Sequence, residues 1–211
     1  MFGDGALTLT EFVVRDPLPL ATIHDAILGF LRARDDVALF GAQAVNAYVD
    51  DPRMTQDVDI LSTRAPDFAE ELRRFLSERF TIAARIRVVA GGRGFRIYQV
   101  RQPKNRHLAD VRSVSVLPPT RTIGGIRVPT PEELIAQKVI SLTSRSAQPK
   151  GDTDRRDVKV LLLAHPDLHR GEGPVRERLI ANGAGASALR AWDVLAASTI
   201  EQPGEDDEFW A

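Results

Sequence analysis

The stretch Arg53-Met-Thr-Gln-Asp-Val-Asp-Ile60 holds two aspartates, Asp57 and Asp59, that alternate with the apolar residues Val58 and Ile60. This alternation is typical of a β-strand, whose successive side chains point to opposite faces. Both carboxylates therefore lie on one face and both apolar side chains on the other. Two like charges side by side destabilise a strand unless a cation lies between them. Because the ligand atoms are oxygens, the pair favours Mg²⁺ or Mn²⁺ over zinc.

The residues just before this pair suggest a phosphate site. A short apolar run over 37–40 predicts a buried strand, and residues 42–48 predict a short helix. Gly41 lies between them, where a glycine lets the backbone approach a phosphate or simply forms a tight turn. Arg53 and Thr55 immediately precede the aspartates. They would orient a triphosphate, orient the loop itself, or belong to an ordinary surface loop.

A third carboxylate, Asp110, lies further along the chain. The elements predicted on the way to it are a helix over 66–80 and strands over 82–89, 95–100 and 107–114. A lone charge within an apolar strand needs a partner, and a shared metal ion would be one. Three carboxylates around two divalent cations are suited to in-line phosphoryl or nucleotidyl transfer.

Composition limits the classes of protein to which the chain can belong. Of its 211 residues, 43% are hydrophobic and 27% charged, which excludes wholesale disorder. The chain has no cysteine, which excludes disulfides, thiolate zinc sites and a cysteine nucleophile and fits a cytoplasmic location. No apolar run approaches the roughly 18 residues of a membrane helix. The first residues do not resemble a secretory signal, so no membrane partner is expected.

The net charge of −1 conceals an uneven distribution. Between Arg85 and Arg127 there are ten basic residues and one acid, Asp110, whereas the residues after Ile200 are strongly acidic. Such a basic stretch attracts a polyanion such as RNA, or it consists of solvated strand faces. His107 in the same stretch would contact RNA or, more simply, lie at a strand end.

The second half of the chain predicts helices. Thr130, Pro131 and Glu133 have the spacing of a capping box with proline at the first helical position. Further helices are predicted over 154–164, 174–180 and 187–198, which places Asp154 near a helix N-terminus. The predicted organisation is an α+β core over 1–128, a helical region over 129–200 and a frayed acidic tail over 201–211.

The pattern of strand, Gly41-Ala42, short helix and Arg53-x-Thr-x-Asp-x-Asp59 resembles the first motif of the nucleotidyltransferase superfamily related to DNA polymerase beta. The resemblance implies an α+β fold with a mixed β-sheet flanked by helices, followed by a C-terminal helical region. Asp110 matches the third carboxylate of that superfamily. Ala42 departs from the pattern, because the superfamily more often has Ser or Gly there, and the change removes one phosphate contact.

Two helical segments, 131–145 and 155–162, look like the later motifs of the AbiEii type of abortive-infection toxin. Members of that group include nucleotidyltransferases that modify tRNA 3′ ends, so the resemblance implies a cognate antitoxin protein. It also implies that Lys138 presents its ammonium group to a triphosphate. Asp157 would pair with Lys138 or bind the nucleotide. From the residues alone, Lys138 and Asp157 are also consistent with ordinary surface charges.

The leading hypothesis is a Mg²⁺-dependent enzyme that moves a nucleotidyl group from an NTP to an acceptor hydroxyl. Asp57 and Asp59 would hold both metal ions, and Asp110 would bind the second and help to deprotonate the acceptor. The remaining predicted nucleotide contacts are Gly41, Ala42, Arg53, Thr55, Lys138 and Asp157. The alternatives are a non-catalytic binding module of the same fold, an antibiotic-type enzyme that modifies a small molecule, and a hydrolase that uses the same metals.

Overall fold

The computed structural model describes residues 18–50 and 52–201. The chain forms two compact units, here called the sheet unit (described residues 18–47 and 52–129) and the helical unit (48–50 and 130–201). The expectations for the N-terminus and for the frayed tail from residue 202 onward lie outside the described residues. None of the described helices combines the length and apolarity needed to cross a membrane.

The sheet unit alternates helices and strands. In chain order its elements are α1 (Leu20–Leu31), β1 (Val37–Phe40), α2 (Gly41–Asn46), β2 (Val58–Ser62), α3 (Ala65–Phe80), β3 (Ala84–Val89), β4 (Gly94–Gln99), β5 (Arg106–Ser113), β6 (Thr120–Ile123) and β7 (Ile126–Pro129). The first five strands form one mixed sheet in the order β1-β2-β5-β4-β3. Strands β2 and β5 run parallel, and the other neighbours run antiparallel.

The two faces of this sheet differ in polarity. Val58, Ala109 and Ile97 lie in one row across β2, β5 and β4, and all three are fully buried. Helix α3 packs against these strands through an apolar stripe that includes Phe68 and Leu72, both fully buried. Burying each such side chain contributes about 2 kcal/mol to folding. The opposite face carries the polar residues of β2, β5 and β4.

The hairpin of β6 and β7 was not expected from the sequence. Gly124 and Gly125 join the two strands with φ angles of +56° and +83°. Two successive positive φ values give the turn a backbone twist that matches a two-residue β-hairpin. Strand β7 packs beside β1 within the same unit.

The helical unit is built around α4 (Pro131–Ser144), which contacts α5 (Pro149–Ala164), α6 (Pro174–Ala181) and α7 (Ala186–Ala197). Helix α5 begins at Pro149, earlier than the sequence predicted. The expectation that Asp154 lies at a helix N-terminus is therefore wrong. The polar composition of residues 149–153 suggested a loop, but a proline at the first helical position is favourable for a helix.

The predicted capping box at the start of α4 does not form. Thr130 is at the N-cap position but makes no capping hydrogen bond through its side chain. Glu133 is instead fully buried, and its carboxylate accepts hydrogen bonds from Arg178 Nε at 2.6 Å and from Asn182 Nδ2 at 3.0 Å. A buried carboxylate must be paired, so this contact between helices prevails over the local cap.

Candidate metal and nucleotide site

The structure brings the three predicted carboxylates to one face of the sheet unit. Asp59 is the second residue of β2, and Asp57 immediately precedes that strand. Asp59 and Asp110 are direct neighbours in the register of the parallel strands β2 and β5. The parallel pairing thus places two carboxylates side by side that are 51 positions apart in the sequence.

His107 lies between two of these carboxylates. Its Nδ1 atom is 3.0 Å from Asp57 Oδ2, and its Nε2 atom is 3.2 Å from Asp110 Oδ1. The hydrogen bonds to Asp110 and then to Asp57 raise the pKa of His107 to about 9. At neutral pH the ring is therefore an imidazolium that donates a hydrogen bond from each nitrogen.

A β-bulge explains why the sequence did not place His107 in the site. His107 and Asp110 are three residues apart, so strict alternation would put them on opposite faces of β5. The register between β4 and β5 shifts at Ile97 and Tyr98, which leaves Leu108 as an extra residue. Such a bulge re-aims the neighbouring side chains. His107 consequently reaches the same face as Asp110.

Arg96 is a second residue that sequence reasoning missed. It lies directly opposite Asp110 on β4, and its Nε and Nη2 atoms donate to Asp110 Oδ1 and Oδ2 at 2.9 Å and 3.2 Å. Burial acts to raise the pKa of Asp110, but the hydrogen bonds from His107 and Arg96 outweigh it and lower the pKa to about 2. No local pattern in the sequence could have indicated this contact, because it depends on which strands pair.

Gly41 fits against Asp59 in a way that only glycine permits. Its φ angle is +66°, a left-handed conformation that L-residues with side chains rarely adopt. A Cβ atom at this position would lie 2.0 Å from Asp59 Oδ2. The backbone turn after β1 therefore lies directly beside the carboxylate, with the buried Ala42 following it.

The loop before Asp57 is held by side-chain hydrogen bonds. Asn46 at the end of α2 donates from Nδ2 to the Arg53 carbonyl at 2.9 Å, and its Oδ1 accepts from the Arg53 N–H at 3.1 Å. Thr55 Oγ1 donates to the Asp57 carbonyl at 2.9 Å. Thr55 thus contacts the loop itself, which agrees with the loop-orienting alternative, and its predicted contact with a triphosphate is not tested.

Lys138 and Asp157 lie in the helical unit. Lys138 Nζ donates to Asp154 Oδ1 at 3.0 Å and to Asp157 Oδ2 at 2.6 Å, and all three side chains are buried. Ser141 Oγ donates to the other oxygen of Asp154 at 2.6 Å. The pairing of Asp157 with Lys138, one of the two expected alternatives, is therefore present. Their part in nucleotide binding stays a prediction.

The donor set of the sheet face fits a hard divalent cation. Ligand atoms of Asp57, His107 and Asp110 all lie within 4.8 Å of one another, and Asp59 adjoins Asp110 in the strand register. Carboxylate oxygens are the ligands that Mg²⁺ and Mn²⁺ prefer. His107 would have to lose its proton to ligate a metal ion through a neutral ring nitrogen. The three aspartates are therefore the fitting ligands.

Comparison with known proteins identifies the fold. No family model and no curated protein sequence matches the chain. Among solved structures, the Megavirus polyadenylate synthase has a TM-score of 0.56 at 16% identity, over 70% of this chain and 32% of that one. JHP933 from Helicobacter pylori has a TM-score of 0.53 at 13% identity, over 90% of this chain and 92% of that one. The chain thus spans about a third of the viral polyadenylate synthase and nearly all of the bacterial protein.

A nucleotidyltransferase-like protein from Paracoccidioides brasiliensis matches with a TM-score of 0.44 at 19% identity, over 88% of this chain and 94% of that one. This similarity is too weak to support an argument by itself. The match to the polyadenylate synthase covers most of the chain and agrees with the mixed five-stranded sheet and its flanking helices. The chain therefore has the nucleotidyltransferase-like α+β fold that the sequence predicted.

Proposed function

We propose that the protein is a Mg²⁺-dependent nucleotidyltransferase that moves a nucleoside monophosphate from an NTP to an acceptor hydroxyl. The observation that carries the proposal is the arrangement of Asp57, Asp59 and Asp110 on one sheet face, with the Gly41 turn directly beside Asp59. The acceptor oxygen forms a bond to the α-phosphorus. The bond from that phosphorus to the β-phosphate oxygen breaks, and pyrophosphate leaves.

The three aspartates would hold the metal, which when bound would neutralise charge on the triphosphate and on the leaving pyrophosphate. Their own task is to fix the position of that charge, which is the main contribution of a protein to phosphoryl transfer. The low pKa of Asp110 makes it a weak proton acceptor. We therefore assign Asp110 to ligand binding, and the acceptor proton leaves to water.

The remaining predicted contacts of the sheet unit complete the nucleotide site in this proposal. Gly41 and Ala42 form the turn next to Asp59, and Arg53 and Thr55 belong to the loop that leads to Asp57. A role of Lys138 and Asp157 in nucleotide binding stays a prediction of the resemblance to AbiEii-type toxins, since both lie in the helical unit and are buried as an ion pair. Those two assignments are drawn from motif positions and not from contacts of the sheet face.

The acceptor class is proposed from charge. The basic stretch of residues 85–127 favours RNA, and tRNA in particular if the chain acts as a toxin with a cognate antitoxin. A small molecule such as an aminoglycoside is the alternative acceptor. The viral match is named a polyadenylate synthase, which agrees with a nucleic-acid acceptor only by fold similarity.

The test incubates the full chain with Mg²⁺, total tRNA and each of the four NTPs labelled with ³²P in the α-phosphate. Asp57→Ala removes a proposed ligand, and Asp35→Asn serves as a matched control because Asp35 is exposed and outside the site. Label in tRNA with wild type and Asp35→Asn, but not with Asp57→Ala, would support the proposal. Equal labelling by Asp57→Ala would contradict the metal site.

One observation favours a non-catalytic nucleotide-binding module as a second function. Both carboxylate oxygens of Asp110 accept hydrogen bonds from Arg96, so this carboxylate is already neutralised by the chain itself. A module of this kind would bind NTP saturably and transfer it to no acceptor. Equilibrium binding of labelled NTP, measured beside the transfer assay, separates the two functions.

A further inference from the structure

The sheet face that carries the aspartates continues as a basic surface over β4 and β3. Register pairs place Arg96 opposite Asp110, and Arg87 opposite Arg96, so the row passes from acid to base within three strands. Two residues along the same strands, Arg85 on β3 is opposite Tyr98 on β4. We call Arg85, Arg87, Arg96 and Tyr98 the basic strip. It lies entirely within the sheet unit.

The strip includes a pairing that folding alone does not favour. Like charges directly opposite each other on neighbouring strands destabilise a sheet. Arg96 is neutralised by Asp110, but Arg87 is exposed and forms no ion pair among the described residues. The exposed guanidinium of Arg87 is thus available to an anionic ligand. A bound polyanion would supply Arg87 with the counter-charge that Asp110 already supplies to Arg96.

The strip also contains an aromatic side chain in a suitable place. Tyr98 is half-buried and follows Arg96 by two residues, so both lie on the face of β4 that carries the site. Its register partner on β5 is His107, which contacts Asp57 and Asp110. Arginine forks bind phosphates in two-point fashion, and aromatic rings stack on bases. An acidic peptide would use the arginines but not the ring.

We propose that the basic strip binds the acceptor strand, a single-stranded nucleic acid whose terminal hydroxyl reaches Asp110. The phosphates contact Arg87 and Arg85, and a base stacks on Tyr98. Two strand spacings, roughly 10 Å, separate the backbones at Arg87 and Asp110. This inference rests on the proposed nucleotidyl transfer for the identity of the reacting end, but the binding surface can be tested by itself.

The experiment measures binding of a fluorescent single-stranded RNA of about 12 nucleotides, a length within the range of common single-strand sites. Arg87→Gln removes one proposed phosphate contact. Arg74→Gln is the matched control, because Arg74 is an exposed arginine on α3, which packs on the other face of the sheet. Binding is measured by anisotropy at several salt concentrations.

We expect Arg87→Gln to weaken RNA binding roughly tenfold at low salt and to reduce the slope of log Kd against log salt by about one. Arg74→Gln should bind as the wild type does. Tyr98→Leu should weaken binding with the salt slope unchanged, because stacking releases no counterions. The melting temperature of Arg87→Gln should be equal to or above that of the wild type, since Arg87 is exposed and the substitution breaks no ion pair among the described residues.

Other results would overturn the inference. These are no RNA binding by the wild type, equal losses in Arg87→Gln and Arg74→Gln, or polyglutamate displacing the RNA as well as unlabelled RNA does. If Arg87→Gln transfers label to RNA and binds RNA with the affinity of the wild type, the strip is not the RNA-binding surface, but the proposed function is still supported. RNA binding that depends on the strip, without nucleotidyl transfer by the wild type, would support the binding surface and contradict the proposed function.

Discussion

Among the described residues, two of the clusters in which carboxylates flank a cationic side chain differ clearly in burial. On the sheet face, the side chains of Asp57, His107 and Asp110 are 27–29% exposed. Between α4 and α5, the side chain of Lys138 is 9% exposed and that of Asp157 is 0% exposed. The two clusters have similar residue types, so composition alone does not separate a ligand site from an internal ion pair.

This difference in burial determines in which cluster a metal ion can replace the cationic side chain. A partly exposed cation that neutralises carboxylates can be replaced by a metal ion at modest cost, because water solvates the groups as they part. Separating a buried pair leaves an uncompensated charge in an apolar environment, which costs several kcal/mol. The sheet cluster is therefore suited to ligand exchange, and the helical cluster is expected to contribute mainly to stability. Four substitutions test this contrast.

The largest effect is expected for Asp59→Asn. Loss of one proposed metal ligand should reduce nucleotidyl transfer by roughly 10²–10³-fold, the size of effect seen when a charge-stabilising group is removed. The melting temperature should stay within about 2 °C of the wild type, because the change relieves repulsion with Asp110. Transfer assays and thermal denaturation measure the two quantities. Full activity would show that the carboxylates of the sheet face do not hold the metal.

The second effect is expected for Lys138→Met. Removing the ammonium group leaves Asp154 and Asp157 buried without their cation, which should cost about 3–5 kcal/mol of the free energy of unfolding. Denaturant titration measures this loss, and Lys138→Met with Asp157→Leu should recover part of it. A variant with normal stability but lost NTP binding would show that Lys138 acts on the nucleotide and not in the fold.

The third effect is expected for Gly41→Ala. The new Cβ atom would collide with the Asp59 carboxylate, and the positive φ angle adds backbone strain of about 1–3 kcal/mol. We expect a loss of transfer together with a moderate loss of stability. Gly183→Ala is the control, because Gly183 also has a positive φ but has no atom within 4 Å of the added Cβ. Equal effects on transfer in both variants would contradict a special role for the Gly41 turn.

The smallest effect is expected for Asp36→Asn, in an ion-pair cluster with Arg34, Arg64 and Glu71 that serves the fold. Hydrogen bonds from Arg34 hold the pKa of Asp36 below its ordinary value. Stability from this group is therefore full above the unfolded-state pKa and is lost as the pH falls through the folded-state pKa. Asp36→Asn should lose about 1 kcal/mol at pH 7, with transfer unchanged. The difference in the free energy of unfolding between the wild type and Asp36→Asn should narrow below pH 3.8. A difference that widens in acid would contradict this account.

The sequence predicted elements whose signals are local. Strand β1 has the predicted bounds, and α4 begins at Pro131 as its proline position indicates. Alternation around Val58 and Ile60 placed the paired aspartates on the polar face of β2. Side-chain periodicity and proline geometry depend on only a few neighbouring residues. They can therefore be recognised from a single amino-acid sequence.

Three features of the fold were predicted wrongly or were not predicted from the sequence. The capping box was wrong because Arg178 and Asn182, brought in by α6, bind Glu133 instead. The start of α5 was missed because its first turn is polar, and the hairpin at Gly124 was overlooked. Tertiary packing decided only the first of these features, whereas Pro149 and the pair Gly124-Gly125 are local signals that were overlooked.

The candidate site divides in the same way. The sequence by itself determined the three aspartates and the glycine, because their residue types and spacing carry the chemistry. Only the tertiary structure decided that His107 and Arg96 join them, since that depends on a bulge in β5 and on the pairing of β5 with β4. Local geometry follows from neighbouring residues in the chain, whereas strand register is set by the sheet as a whole.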